Sequence, residues 1–292
     1  ARLVDPSQKL DARRELYLLD GKVAAIGESL GDTVPAGTPV LDAGGLTAAP
    51  GLVDMHVHFR DPGQTHKEDI LSGSRAAAAG GVTSVACMPN TRPPVDSPET
   101  VSYIRQKGAE ALCRVYPVAC ISAGQQGERL TDFAALRAAG AVAVSDDGRP
   151  VKNAALMQQA IALGRSLRLP VISHCEDLDI IGGGIVHKGK ISQRLGVPGM
   201  DRSSEDSITA REIALADSEG AAVHIAHVST RGSAEIIRDA KRRGIRVTAE
   251  TAPHYLLFTD EALLSRNANF RMNPPLRDEQ DRLAMLAAVA NG

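Results

Sequence analysis

The feature that most constrains this chain is a pattern repeated seven times from Leu52 onward: a short apolar run, then a more polar stretch long enough for a helix. The apolar runs start at Leu52 (LVDMHVHF), Val82 (VTSVACMP), Arg114 (RVYPVAC), Ala141 (AVAVSDD), Pro170 (PVISHC), Ala222 (AVHIAHV) and Arg246 (RVTAETAP). Strands covered on both faces need runs this short and this apolar, and their alternation with helices is the signature of parallel βα units. Seven units predict an α/β fold, a (β/α)8 TIM-like barrel whose eighth unit would follow Gly292; an open doubly wound sheet shares the same linear pattern. The clearest helix covers 153–168, with Leu156, Ala160, Leu163 and Leu167 on one face. A last one, 278–290, places Leu283, Leu286 and Val289 on one side and ends at Gly292.

Residues 1–47 read as the N-terminal part of a small β-sandwich domain, and 48–292 as the barrel. Asp20-Gly21 between ELYLL and KVAAIG is a two-residue hairpin signal, and another strand-like run starts at Pro39. The chain has 292 residues, 43% of them hydrophobic, enough for a sizeable core. Its 33 basic and 35 acidic side chains leave a net charge of −2, too weak a field to gather nucleic acid or acidic lipid. Cys87, Cys113, Cys120 and Cys175 form no C-x-x-C pair, which predicts a reducing compartment, the cytoplasm. No stretch reaches the roughly 18 apolar residues of a membrane helix, and residues 1–10 have no apolar leader core, so a soluble protein is expected. Ala1 stands in mid-strand and Gly292 follows a helical run, so both ends are expected to be cut.

His56 and His58 lie two apart in the first barrel strand, so alternation puts both imidazoles on one face. Such a pair at the C-terminal end of a barrel strand can chelate a divalent ion, and barrel active sites are built at that end. His174 closes the fifth run, His227 the sixth and Asp146-Asp147 the fourth, and in a closed barrel these ends converge on one mouth. Four imidazoles and a carboxylate could hold two metal ions, with zinc the natural choice and manganese or cobalt as substitutes. His224, three residues before His227, should face away and be structural. His66 and His187 lie in loop or helix-start segments, where exposure is the default. His254 could belong either to the site wall or to the scaffold, and Cys175 reads as a buried thiol.

The string Pro50-Gly51-Leu52-Val53-Asp54-Met55-His56-Val57-His58-Phe59-Arg60-Asp61-Pro62-Gly63 resembles the amidohydrolase superfamily and, within it, bacterial class I dihydroorotases. Met88-Pro89-Asn90-Thr91, Ser145-Asp146-Asp147-Gly148, Ser173-His174-Cys175-Glu176-Asp177, His227-Val228-Ser229-Thr230, Glu250-Thr251-Ala252-Pro253-His254-Tyr255 and Asn273-Pro274-Pro275-Leu276-Arg277 are similar to that family in its order. The resemblance implies that His56 and His58 bind the more buried zinc, that His174 and His227 bind the other, and that Asp147 bridges them. It further implies that Arg60 and Asn90 hold a substrate carboxylate and that Asn273 contacts the pyrimidine ring. The implied reaction is the reversible opening of dihydroorotate to N-carbamoyl-L-aspartate in pyrimidine synthesis, with a metal-bridging hydroxide as nucleophile. The family's proton shuttle, a strand-eight aspartate, would lie beyond Gly292, so the chain as given is expected not to turn over normally.

Hydantoinase, dihydropyrimidinase and allantoinase are neighbouring readings. The first two need a carboxylated lysine on the fourth strand, whereas the lysine nearest that strand here is Lys152, beyond the Gly148-Arg149-Pro150 turn. An alternative from a different class is a non-catalytic scaffold for aspartate transcarbamoylase, of a kind that typically loses metal ligands; this chain keeps all five. A homodimer and association with a transcarbamoylase are expectations by analogy.

Overall fold

A computed structural model describes residues 1–291. The chain divides into two compact units, Ala1–Val53 and Asp54–Gly292. In the first, Arg2–Asp5 pairs antiparallel with Leu10–Arg13 and parallel with Thr47–Ala48. Glu15–Leu19 and Lys22–Gly27 form the hairpin, and Asp20 and Gly21 both have positive φ, as a primed two-residue turn requires. The run from Pro39 is mostly not strand: Asp42 accepts the Gly44 N–H, Leu46 bonds back to Ala43, and only Thr47–Ala48 joins a sheet.

All seven predicted barrel strands form, as Leu52–Val57, Val82–Cys87, Arg114–Ala119, Ala143–Ser145, Val171–Ser173, Val223–Ile225 and Val247–Ala249. They make one sheet in sequence order, a curled half-barrel with helices between successive strands. Several of the helices start where a short polar side chain can take the free N–H groups of the first turn. Asp69 and Ser72 make a reciprocal capping box before Ile70–Ala79, Ser97 and Thr100 do the same before Pro98–Gly108, and Asn153 caps Ala154–Leu167. The main core, between sheet and helices, contains Ile70, Val85, Ile104, Phe133, Met157 and Ile225, none more than 1% exposed. A separate small cluster of Met88, Val118, Ala143, Ile172 and Ala226 joins five neighbouring strands.

Two further findings depart from the sequence expectations. Val186–His187 and Gly199–Met200 form a small parallel pair after the fifth strand, and this buries His187 between Arg202 and Arg277 instead of exposing it. The last helix, Glu279–Asn291, buries Met285 and Asp281, the latter accepting the Arg231 N–H, and turns the Leu283, Leu286 and Val289 side outward. That apolar stripe is therefore not the face the helix packs on.

Candidate metal centre

The C-terminal strand ends deliver the ligand candidates. His58 follows its strand by one residue, His174 by one, Asp147 and His227 by two. Asp147 sits in the middle: its Oδ1 lies 3.4 Å from His56 Nε2, His174 Nδ1 and His227 Nε2, and its Oδ2 lies 3.4 Å from His58 Nε2. The His56 and His58 Nε2 atoms are 3.3 Å apart, and His174 Nδ1 is 2.7 Å from His227 Nε2. Two ligand triads thus share Asp147: His56, His58 and Asp147, and Asp147, His174 and His227. In a tetrahedral site with bonds of about 2.05 Å, ligand atoms stand about 3.4 Å apart. The spacing around Asp147 matches that edge, and its buried Oδ1 has no hydrogen-bond partner, so this donor set fits divalent cations.

Outer partners fix the rings. Glu250 Oε1 is 2.6 Å from His56 Nδ1, Asn90 Oδ1 is 2.9 Å from His58 Nδ1, and Glu176 Oε2 is 3.1 Å from His174 Nε2. Each acceptor takes the ring N–H that points away from Asp147 and leaves the inward nitrogen as a ligand, the usual support of metal-binding histidines. Burial alone would strip the protons from these rings. At His56 it is outweighed by the Asp147 and Glu250 carboxylates, which push the ring up to about 10, and at His174 by Asp147 and Glu176, which push it up to about 9. At His58 burial wins and lowers the ring to about 4; His227 is lowered by burial and by the neighbouring His174. Asp147 is held well below the carboxylate range by the surrounding imidazoles despite its burial. Each half of the site therefore pairs one ring raised by its carboxylates with one ring lowered by burial.

Asp146 faces elsewhere. It accepts N–H bonds from Ile121 and Ser122 and the Ser122 hydroxyl, so it ties the third strand end to the fourth. Arg60, with φ +57°, points Nη1 at the Asn90 carbonyl at 3.2 Å. Arg60, Gln64, Asn90, Arg149 and Asp147 line one cavity of about 340 Å³. The Asn90 side chain is already engaged by His58. Asn273 reaches the site through Glu176, whose carboxyl it helps keep ionised. His224 bonds Thr248, away from the ligands; His66 is exposed; His254 meets Tyr255 edge-on with ring centroids 4.1 Å apart and is lowered by burial and by nearby His227. Cys175 is buried with its thiol toward Ser173. Lys152 pairs with Asp179 at the surface, 2.8 Å away, and is no candidate for a bridging carbamate.

Sequence reasoning missed Glu250 and Glu176 as ring-orienting residues, although both stand inside the motifs quoted above. Their signal is a carboxylate beyond a strand end that carries or neighbours a histidine. A third group, His187, Asp278 and Asp281, has metal-like spacing, but the Arg202 guanidinium fills it, 2.7 Å from Asp278 and 3.3 Å from Asp281 and His187.

A family model described as dihydro-orotase-like matches residues 45–233. Proteins named dihydroorotase from Pelobacter propionicus and Geobacter sp. strain M21 are 51% and 52% identical over all 292 residues, which span 68% of each relative. Among solved structures, an L-hydantoinase (dihydropyrimidinase) from Arthrobacter aurescens superposes with a TM-score of 0.84 at 23% identity, and a D-hydantoinase from Thermus sp. with 0.79 at 23%. The chain covers 65% of each of those two structures, so it spans somewhat under two thirds of their length. Likeness at that identity shows a common fold. Identity at half of all positions over the whole chain, joined to the family match, shows more: this chain belongs to the dihydroorotase family.

Proposed function

We propose that the site serves the zinc-dependent, reversible hydrolysis of dihydroorotate to N-carbamoyl-L-aspartate, a step of pyrimidine synthesis in the cytoplasm. The observation that carries this reading is a juxtaposition: Asp147, which stands among four imidazoles, lines the same cavity as Arg60. A cyclic amide that bears a carboxylate needs both, a hydrolytic centre and a fixed cation. Hydantoin and dihydrouracil have no carboxylate for Arg60 to meet.

His56 and His58, with Asp147, would hold one zinc, and His174 and His227, again with Asp147, the other. Zinc, when bound, supplies Lewis acidity and makes hydroxide available near neutral pH. The chain's own groups bind and orient. Arg60 presents a planar fork suited to a carboxylate, and its partial burial strengthens that contact. Gln64 and Arg60 both bond the Asn90 carbonyl, which fixes the turn carrying Asn90 beside the cavity. Asn90 restrains His58 and faces the same space, and Asn273 approaches from the Glu176 side. In the overall reaction a water hydroxyl adds to the ring carbonyl, the ring C–N bond breaks and the nitrogen takes a proton.

Metal content and ligand binding on the zinc-loaded chain test this reading. Near two zinc ions per chain are expected, with fewer in His58→Ala and in His174→Ala. Dihydroorotate and N-carbamoyl-aspartate should bind more tightly than hydantoin, dihydrouracil or allantoin, and Arg60→Met should erase that preference by a factor of at least about 10, the value of one charge-assisted hydrogen bond. Equal binding of the uncharged rings, or zinc content indifferent to both histidine changes, would sink it.

A further inference from the structure

We propose that Glu205 positions His227 for metal binding, with Arg277 holding Glu205 in place; the inference rests on the reading of the site given above. His227 has φ +36°, a left-handed backbone that a non-glycine residue keeps only when its surroundings enforce it. What enforces it lies just downstream. Glu205, in the helix Ser203–Ser218 and 3% exposed, accepts the N–H groups of Ser229 at 2.9 Å and Thr230 at 3.0 Å on one oxygen, with the Thr230 hydroxyl at 3.1 Å. Its other oxygen takes the Ser229 hydroxyl and faces Arg277 Nη2 at 3.4 Å. Arg277, 5% exposed, also donates Nε to Ser229 Oγ at 3.0 Å. The residues two and three positions after the ligand are therefore tied to a buried carboxylate by four hydrogen bonds. On its other side the turn is held by the Val228 N–H on the Glu250 carbonyl at 2.8 Å and by Thr251 Oγ1 on the Val228 carbonyl at 2.7 Å. A buried carboxylate is tolerable only when paired and fully bonded, and this one is. The His56 and His58 pair lies on and next to a regular strand and is supported by Glu250 and Asn90 instead. Loss of Glu205 should therefore be felt by one half of the site only.

Cobalt(II) titration of the chain, read by visible absorption and chelator competition, tests this, with His58→Ala and His227→Ala identifying the two halves. In Glu205→Gln the amide NH2 confronts Arg277 and the Ser229 hydroxyl, and the half containing His174 and His227 should bind cobalt about tenfold more weakly, as is common when support of a ligand is lost. The half containing His56 and His58 should stay within about twofold of the parent. Ser229→Ala, a milder change that removes one partner of both Glu205 and Arg277, should weaken the same half by a smaller factor and decides the matter if Glu205→Gln does not fold. A merely structural role would weaken both halves together, and that result, or no change in a folded variant, overturns the proposal. If the parent chain binds no cobalt, or His227→Ala leaves the titration unaltered, the reading of the site itself fails, and this inference with it.

Discussion

Glu250→Gln offers the sharpest perturbation of the candidate centre, because Glu250 touches His56 on the side away from the ligand nitrogen. Its Oε1 is 2.6 Å from His56 Nδ1, a charge-assisted contact of the kind that contributes about 1.5–3 kcal/mol, against about 0.5–1.5 kcal/mol for a neutral acceptor. The difference, roughly 1.4 kcal/mol, corresponds to about a tenfold loss of cation affinity at the half containing His56 and His58. A second effect opposes it. Glu250 and Asp147 together push His56 up to about 10, so near neutral pH a cation must displace a proton from Nε2. Removing the Glu250 charge lowers that ring and eases the competition. The sign follows: below about pH 10 parental affinity at this half should climb roughly tenfold per pH unit, one proton released per ion bound, while the variant's climb should be shallower. The eased competition favours the variant at low pH, and the ratio of parental to variant affinity should rise with pH. Chelator-competition measurements with cobalt between about pH 6 and 8.5 resolve both slopes. Parallel slopes in parent and variant, or a larger loss at the half containing His174 and His227, would refute the reasoning.

Asp147→Asn removes the only carboxylate shared by both triads and leaves His56 and His174 without their common counter-charge, so elemental analysis should find both halves of the site emptied by more than about 100-fold in affinity. Retention of one full equivalent would show that Asp147 does not bridge. Gly63→Ala should destabilise the loop that carries Arg60, since φ is +84° and a Cβ there would lie 1.9 Å from the Arg92 carbonyl oxygen. Strain of about 2–3 kcal/mol should lower Tm by about 4 °C or more, and an unchanged melting curve would contradict the close approach. Asp146 is raised to about 6, mainly by burial. Its folded form therefore binds the proton more readily than the unfolded chain, so its contribution to stability is complete below about pH 3.8 and declines as pH rises to about 6. Denaturant unfolding of the parent and of Asp146→Asn across that window should differ in slope with that sign, and identical slopes would count against it.

The strands were legible because each needs only a local signal: a short apolar run flanked by turn and helix residues, read the same way at Val82 as at Val171. The ligand candidates were legible for a related reason, since topology brings all parallel strand ends to one rim whatever their separation in sequence. Periodicity misled at Leu283, Leu286 and Val289, because a helical stripe says which residues share a side but not which side meets the core. His187 misled for a similar reason: a two-residue strand gives no pattern, and its burial is decided by Arg202 and Arg277, the latter 90 residues away. Glu250 and Glu176 stood in plain view as ordinary carboxylates. Only their distances to the histidine ring nitrogens give them a task.

By itself the sequence determined the element order, the parallel sheet and the set of residue types able to hold a cation, because these depend on short-range pattern and on chain connectivity. Strand pattern and composition left Asp146 and Asp147 open, and the tertiary structure gives the physical reason that Asp147, the residue the resemblance implied, stands between the imidazoles: adjacent residues at a strand end point to opposite sides and packing selects the side. It also decided which rings are raised and which are lowered. That depends on distances of a few ångströms between residues far apart in the chain, where burial and neighbouring charge act together and no linear pattern records them.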